Sequence, residues 1–297
     1  FAERSAGFAD MQRMLHYADL SRKARNLMAE STTFLPLENF TPEARRATRV
    51  VLTDIDDTLT TNGRLPAVAY AAMERLQDVG CAVVPVTGRP AGWCDQIARM
   101  WPVDGVVGEN GAFYFHYDAA ARKMRRVYAQ PDAEREKNRM QLRQLGQVIL
   151  REVPGAAISA DQFAREVDLA IDFCEDVEPL PADEINRIVQ LFEAAGATAK
   201  ISSIHVNGWF GSHDKLTMTK CILHDIFALD ADIRNEDAVF IGDSPNDAPM
   251  WSFFTNGIGV ANALAYRGQI ADAPRYVTSQ AGGAGFAELA DALLAAK

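Results

Sequence analysis

The sequence predicts an α/β protein: a doubly wound, Rossmann-like parallel sheet into which a smaller α+β domain is inserted. Three observations carry that prediction. Val50-Val51-Leu52-Thr53-Asp54-Ile55-Asp56-Asp57-Thr58 is an apolar, β-branched run that ends abruptly in carboxylates and hydroxyls. A buried parallel strand has this form, with its polar groups massed at one end. Strand-like and helical runs alternate on both sides of the middle of the chain. Between residues 128 and 208 the order changes to helix, strand, strand, given twice.

Residues 1–43 mix polar and apolar side chains, with Met11, Met14, Leu15 and Ala18 at helical spacing, and read as an added helix packed on the core. An irregular link, Thr33-Phe34-Leu35-Pro36-Leu37, follows. After the first strand comes the turn pair Asn62-Gly63, then a helix opened by Pro66 and closed by Gly80. Cys81-Ala82-Val83-Val84-Pro85-Val86 is a second buried strand, ending in Thr87-Gly88-Arg89-Pro90. A helix over 90–100 and a short strand at 105–108 continue the pattern. Phe113, Phe115 and Tyr117 alternate as in an antiparallel strand or hairpin. The inserted segment reads as helix 132–151, strands 156–160 and 167–173, helix 181–195, and strands 198–202 and 204–209. Parallel order resumes with a helix near Lys215 and the strand Ala238-Val239-Phe240-Ile241, which ends in Gly242-Asp243-Ser244-Pro245-Asn246-Asp247. Short strands at 257–260 and 276–278 and a helix over 286–296 close the chain. The expected division is an N-terminal extension over 1–43, a core over 44–127 and 209–297, and an inserted domain over 128–208.

With 48% hydrophobic and 24% charged residues, the composition is that of a soluble globular protein with a sizeable core. The net charge of -10 argues against nucleic acid or an anionic membrane as a main partner. Cys81, Cys94, Cys174 and Cys221 are far apart among mostly apolar neighbours, and read as buried thiols in a reducing cytoplasm. No apolar run is long enough to span a bilayer, and the N-terminus lacks a basic-then-apolar signal pattern. Because it begins at Phe1 rather than Met, the numbering reads as that of a trimmed or partial chain.

In an open α/β sheet, ligands sit beyond the carboxyl ends of the strands, which is where these acids fall. Asp54 and Asp56 are two apart and project to the same side of an extended segment. Carboxylates that close repel each other unless a cation or a shared proton relieves them, so a metal is expected. A calcium loop would alternate Asp54, Asp56 and Thr58 in the same way, but it wants Gly and Glu where Leu59 and Leu65 stand.

Four motifs follow in fixed order: Asp54-Ile55-Asp56-Asp57-Thr58, Thr87-Gly88-Arg89, Lys215, and Gly242-Asp243-Ser244-Pro245-Asn246-Asp247. This set resembles the haloacid dehalogenase (HAD) superfamily of phosphotransferases. The inserted domain resembles its type IIB cap, the one in Cof-like sugar phosphatases and in sucrose-, trehalose- and mannosyl-3-phosphoglycerate phosphatases. The resemblance covers residues 48–297. It implies that Asp54 is a nucleophile forming an aspartyl-phosphate. It also implies that Asp56 is the general acid/base, with its backbone carbonyl on Mg²⁺. Asp243 would supply the other metal carboxylate, and Asp247, with Asn246, would support it or join the ligands. The Thr87 hydroxyl and the Gly88 N–H would hold a phosphoryl oxygen, and Lys215 would offset charge on it. Arg89 contacts phosphate or substrate, or forms a surface salt bridge; Asn110 touches substrate, or serves only its Asn-Gly turn. His205, Asn207 and Trp209 share one face of the last inserted strand, where they read a sugar, or Trp209 packs between domains. Asp57 reads as a turn or helix cap, and Arg165, Glu166 and Asp168 as a solvated polar surface.

As a whole the resemblance implies a Mg²⁺-dependent phosphatase acting on a small phosphorylated metabolite, a phosphosugar or sugar-conjugate phosphate. Its cap would close over the leaving group and set specificity. Two rivals share the scaffold: a phosphomannomutase-like enzyme that returns the phosphoryl group to a second hydroxyl, and a non-catalytic binding protein.

Overall fold

A computed structural model of the chain describes residues 34–202, 204–266, 270 and 272–297. The expected helix around Met11 and Ala18 lies outside these described residues. In chain order the elements begin with β1 (Leu35–Pro36), α1 (Pro42–Ala47), β2 (Val50–Thr53), α2 (Ala67–Asp78), β3 (Ala82–Pro85) and α3 (Ala91–Met100). Next come β4 (Val106–Gly108), β5 (Phe113–Asp118), β6 (Lys123–Tyr128), α4 (Asp132–Glu152), β7 (Ala157–Ile158) and β8 (Leu169–Asp172). Then follow α5 (Ala182–Ala194), β9 (Thr198–Ile201), β10 (His205–Trp209) and α6 (Lys215–Phe227). The chain ends with β11 (Ala238–Gly242), α7 (Ala248–Phe253), β12 (Asn256–Gly259), β13 (Tyr276–Val277) and α8 (Gly282–Leu294).

These elements divide between two compact units. The first takes the described residues up to Pro85, then Trp101–Asp104 and Leu223–Lys297. It is built on one parallel sheet in the order β1-β13-β12-β11-β2-β3. Every residue of β2 and β11 is buried, which is why both strands read as continuous apolar runs. Helices α2 and α8 pack against each other. The Asn62-Gly63 pair forms the expected turn, with φ of 54° and 70° between the bridged residues Thr61 and Arg64.

The second unit takes Val86–Met100 and Gly105–Ile222. It holds the antiparallel sheet β4-β5-β6 and a second antiparallel sheet in the order β7-β8-β10-β9. Leu142 and Ile149 of α4 and Ile188 and Phe192 of α5 make one apolar core with Ile171 and Val206 of the larger sheet. The expected helix-strand-strand repeat over 128–208 is therefore present, with β7 shorter than its apolar run suggested.

Two expectations are corrected. The supposed irregular link contains β1, which pairs in parallel with β13 by Leu35 opposite Tyr276. Two residues at a sheet edge carry no periodicity to read, and their partner lies at the other end of the chain. None of these four cysteines is in a disulfide, but Cys221 is exposed and Cys174 half-buried; Cys81 and Cys94 are buried. Among the described residues no helix is long and apolar enough to cross a membrane.

Candidate active site

In the first unit, β2 and β11 run side by side with Thr53 opposite Ile241, so Asp54 and Asp243 leave the sheet at the same edge. The Asp54 N–H extends the ladder, donating to Ile241 O at 2.9 Å. Asp247 returns to the same place from the turn after β11. Its Oδ2 accepts from the Asp243 N–H at 3.1 Å and from the Ser244 N–H at 3.5 Å. Gly242 makes that return possible, because a Cβ there would stand 2.3 Å from Asp247 Oδ2. Asp54, Asp243 and Asp247 are all buried and offer carboxylate oxygens within 4.8 Å of one another. The Thr58 hydroxyl donates to Asp243 Oδ1 at 3.3 Å.

Three buried carboxylates at this spacing need a counter-charge to stay ionised. An all-oxygen donor set fixed on strand ends suits a hard divalent cation, so the residues present fit the expected metal. Asp56 stands outside this trio and is half-buried. Asp57 takes a left-handed φ of 57° inside the turn. Its N–H donates to Thr60 Oγ1 at 3.0 Å, and its carbonyl accepts from Asn262 Nδ2 at 2.7 Å. Sequence reasoning missed Asn262, which also accepts from the Gly282 N–H at 3.1 Å and so ties the acidic loop to the start of α8. It missed Tyr266 too, whose phenol is pushed up by burial and by the charges of Asp243 and Asp57.

The second unit carries the remaining candidates. Val86 bridges Val107 in parallel, and the fully buried Thr87 donates its N–H to Val107 O at 2.9 Å. Thr87 Oγ1 accepts from the Arg89 N–H at 3.1 Å, and the Arg89 guanidinium lies 4.7 Å from the centre of the Trp93 ring. Asn110 sits at φ 56° in the turn after β4, 8% exposed, with its Nδ2 lacking a partner among the described residues. Gly111, at φ 97°, lets that turn pack on the backbone that opens α6; a Cβ would fall 1.9 Å from Asp214 O. Lys215 is the first residue of α6 and is 7% exposed.

His205, Asn207 and Trp209 share a face of β10, and all three are buried. His205 Nε2 lies 2.9 Å from Glu175 Oε2, and Asn207 Nδ2 donates to Asp168 Oδ2 at 3.0 Å. Trp209 stacks on His213, with ring centres 5.6 Å apart. The expectation of a solvated surface at Arg165 and Asp168 is overturned, since they are 7% and 3% exposed and paired with each other at 3.0 Å. Glu109 also escaped notice. It is fully buried, and burial together with the Asp168 charge pushes its carboxyl up to about 7. No local pattern separates it from an ordinary turn residue, because three of its four hydrogen-bond partners, Glu166, Val167 and Asp168, lie more than fifty positions away.

A parallel α/β sheet with a buried acidic trio beyond two adjacent strand ends is an arrangement that suits metal-assisted chemistry. The family model described as haloacid dehalogenase-like hydrolase matches residues 51–136. Three solved structures illustrate the likeness. A putative HAD/Cof-like hydrolase from Plasmodium vivax superposes with a TM-score of 0.62 at 17% identity, over 86% of this chain and 100% of that one. The sucrose-phosphatase of a Synechocystis species, solved with sucrose and phosphate, gives 0.58 at 16% identity, over 83% and 98%. A HAD subclass IIB sugar phosphatase gives 0.55 at 14% identity, over 82% and 96%. At such identities the likeness speaks for the fold. No curated protein matches the chain in sequence.

Proposed function

We propose that the chain is a Mg²⁺-dependent phosphomonoester hydrolase that works through an aspartyl-phosphate on Asp54, with a phosphosugar or sugar-conjugate phosphate as substrate. The observation that carries the reading is the buried trio Asp54, Asp243 and Asp247 at the carboxyl ends of β2 and β11. The phosphosugar class is supported by what the similar structures are: a sucrose-phosphatase, a trehalose-6-phosphate phosphatase-related protein and a subclass IIB sugar phosphatase. We keep 128–208 as the cap and 44–127 with 209–297 as the core of this enzyme.

In this reading Asp54, Asp243 and Asp247, with the Asp56 carbonyl, hold Mg²⁺, which when bound neutralises charge on the substrate phosphate. The Asp54 carboxylate attacks phosphorus and the P–O bond to the sugar breaks. Asp56 gives its proton to the leaving oxygen, then takes one from the water that cleaves the acyl phosphate. The Thr87 hydroxyl and the Gly88 N–H donate to phosphoryl oxygens, and the Lys215 ammonium offsets their charge. Asn110 Nδ2, buried without an acceptor among the described residues, donates to the substrate, with Arg89 beside it in this role.

The test is phosphate release from a panel of phosphorylated sugars and small metabolites, with and without Mg²⁺, alongside Asp54→Asn. The expected result is Mg²⁺-dependent release that is lost in the variant, and beryllium fluoride bound by the native chain alone. Turnover that requires a bisphosphorylated sugar activator would place the chain with the mutases. Absence of both release and beryllium fluoride binding would sink the catalytic reading.

A further inference from the structure

Three consecutive carbonyls of the loop Thr87-Gly88-Arg89 are held by bonds from the same small set of residues. Thr87 O accepts from the Asn110 N–H at 3.1 Å, and Arg89 O from the Glu109 N–H at 3.1 Å. Between them, Gly88 O accepts from Arg165 Nη1 at 3.0 Å. The Gly88 N–H, by contrast, has no acceptor among the described residues.

The groups that make these bonds are themselves fixed. The Arg165 side chain is 1% exposed; its Nε reaches Asp161 at 3.0 Å, and its Nη1 reaches Asp168 at 3.0 Å. Glu109 Oε1 accepts from the N–H groups of Ala91 and Glu166, each at 2.9 Å. Its Oε2 accepts from Val167 at 2.6 Å and Asp168 at 3.0 Å. One buried carboxylate thus joins the start of α3 to the segment that leads into β8. Asp168 in turn accepts from Asn207 on β10. A surface salt bridge would need none of this, because an exposed pair contributes little and tolerates many geometries. Here a buried cation and a buried carboxylate hold backbone groups, an arrangement that fixes shape at the cost of desolvation.

We propose that Arg165 and Glu109 are positioning residues for the reaction: they set the shape of the Thr87-Gly88-Arg89 loop in which it receives a phosphoryl group, and they link that shape to strand β10. The inference rests on the hydrolase reading and on Thr87 as a phosphate donor. It means that changes on β10 reach the phosphate site through Asn207, Asp168 and Arg165, with no contact to the substrate.

A double-mutant cycle tests it, using the best phosphomonoester of the panel and inorganic phosphate as a competitive inhibitor. Arg165→Met is made in the native chain and in Thr87→Ala. In the native background, kcat/KM falls by roughly 10–100-fold and phosphate inhibition weakens by a similar factor, as a displaced loop demands. In the Thr87→Ala background the same substitution costs at least about fivefold less, because the group being positioned is already gone. Equal losses in the two backgrounds, or unchanged inhibition by phosphate, overturn the inference while leaving the hydrolase reading intact. A native chain that hydrolyses no ester overturns both. Should Arg165→Met fail to fold, Arg165→Lys takes its place, since it keeps the buried charge but offers one nitrogen to three partners.

Discussion

Gly242→Ala tests whether the acidic trio depends on a side chain that is not there. The backbone of Gly242 is not left-handed, so alanine meets no conformational penalty and only the steric one remains. Its Cβ would stand 2.3 Å from Asp247 Oδ2, 2.7 Å from Asp247 Cγ and 3.0 Å from Phe240 Cε1. To reach the 3.4 Å of an ordinary contact, the carboxylate must retreat by about 1 Å. Asp247 is fully buried, and its Oδ2 holds the Asp243 N–H at 3.1 Å, a bond that such a retreat breaks. Overpacking typically costs about 1–3 kcal/mol. Losing a hydrogen bond to a charged acceptor adds about 1.5–3 kcal/mol. Together they predict a destabilisation of roughly 3–5 kcal/mol, read by urea unfolding. Asp243 would lose its orientation at the same time, so Mg²⁺ affinity should drop by roughly 10–100-fold in a calorimetric titration. A variant that binds Mg²⁺ within twofold of the native chain and unfolds within 1 kcal/mol of it (order of magnitude,) would refute the reasoning.

Three further outcomes are expected. Asn262→Ala removes the ties to Asp57 O and the Gly282 N–H, so stability should fall by about 1–3 kcal/mol. Turnover should fall with it, measured as kcat at saturating Mg²⁺. Burial lowers the His213 imidazole from 6.5 to about 4, so the unfolded chain binds the extra proton. Its contribution to stability is whole above pH 6.5 and is lost as pH falls toward 4, up to about 3 kcal/mol. His213→Leu should flatten that limb of a denaturation-versus-pH curve. Glu109 acts in the opposite sense: raised from 4.5 to about 7, it favours the fold below pH 4.5 and withdraws that contribution as pH climbs through 7. Glu109→Gln should therefore be more damaging at pH 5 than at pH 8 in the same assay.

What could be read in the sequence follows a physical line. The strand Val50-Val51-Leu52-Thr53 and its ending in Asp54 are legible because burial on both faces leaves a continuous apolar run. Asp243 is legible for the same reason on β11, and the parallel register then brings the two strand ends together. Arg165, Asp168 and Glu109 were not legible. Charged residues are mostly solvated, so the expectation for each alone is an exposed position. Their burial depends on partners supplied by other elements, Ala91 and Gly88 on one side and Asn207 on the other. Asn262 stayed hidden likewise, since its partner Asp57 lies at the far end of the sequence.

The same distinction bears on where binding energy for a substrate can come from. Asn207 and His205 stand on the expected face of β10, but their polar atoms already face Asp168 and Glu175. A ligand that took the Asn207 amide would leave the buried Asp168 carboxylate short of a hydrogen bond, a loss of about 1.5–3 kcal/mol. Asn110 is in the reverse position. Its Nδ2 is buried and unpartnered among the described residues, and its backbone is held at φ 56°. An unmet donor of this kind costs about 1–3 kcal/mol. A left-handed non-glycine residue adds to that cost. Both penalties stand in the free protein, and an acceptor oxygen on a substrate relieves the first of them. The unmet donor at the turn between β4 and β5 is thus a source of affinity, whereas Asn207, already bound to Asp168, is a source of shape.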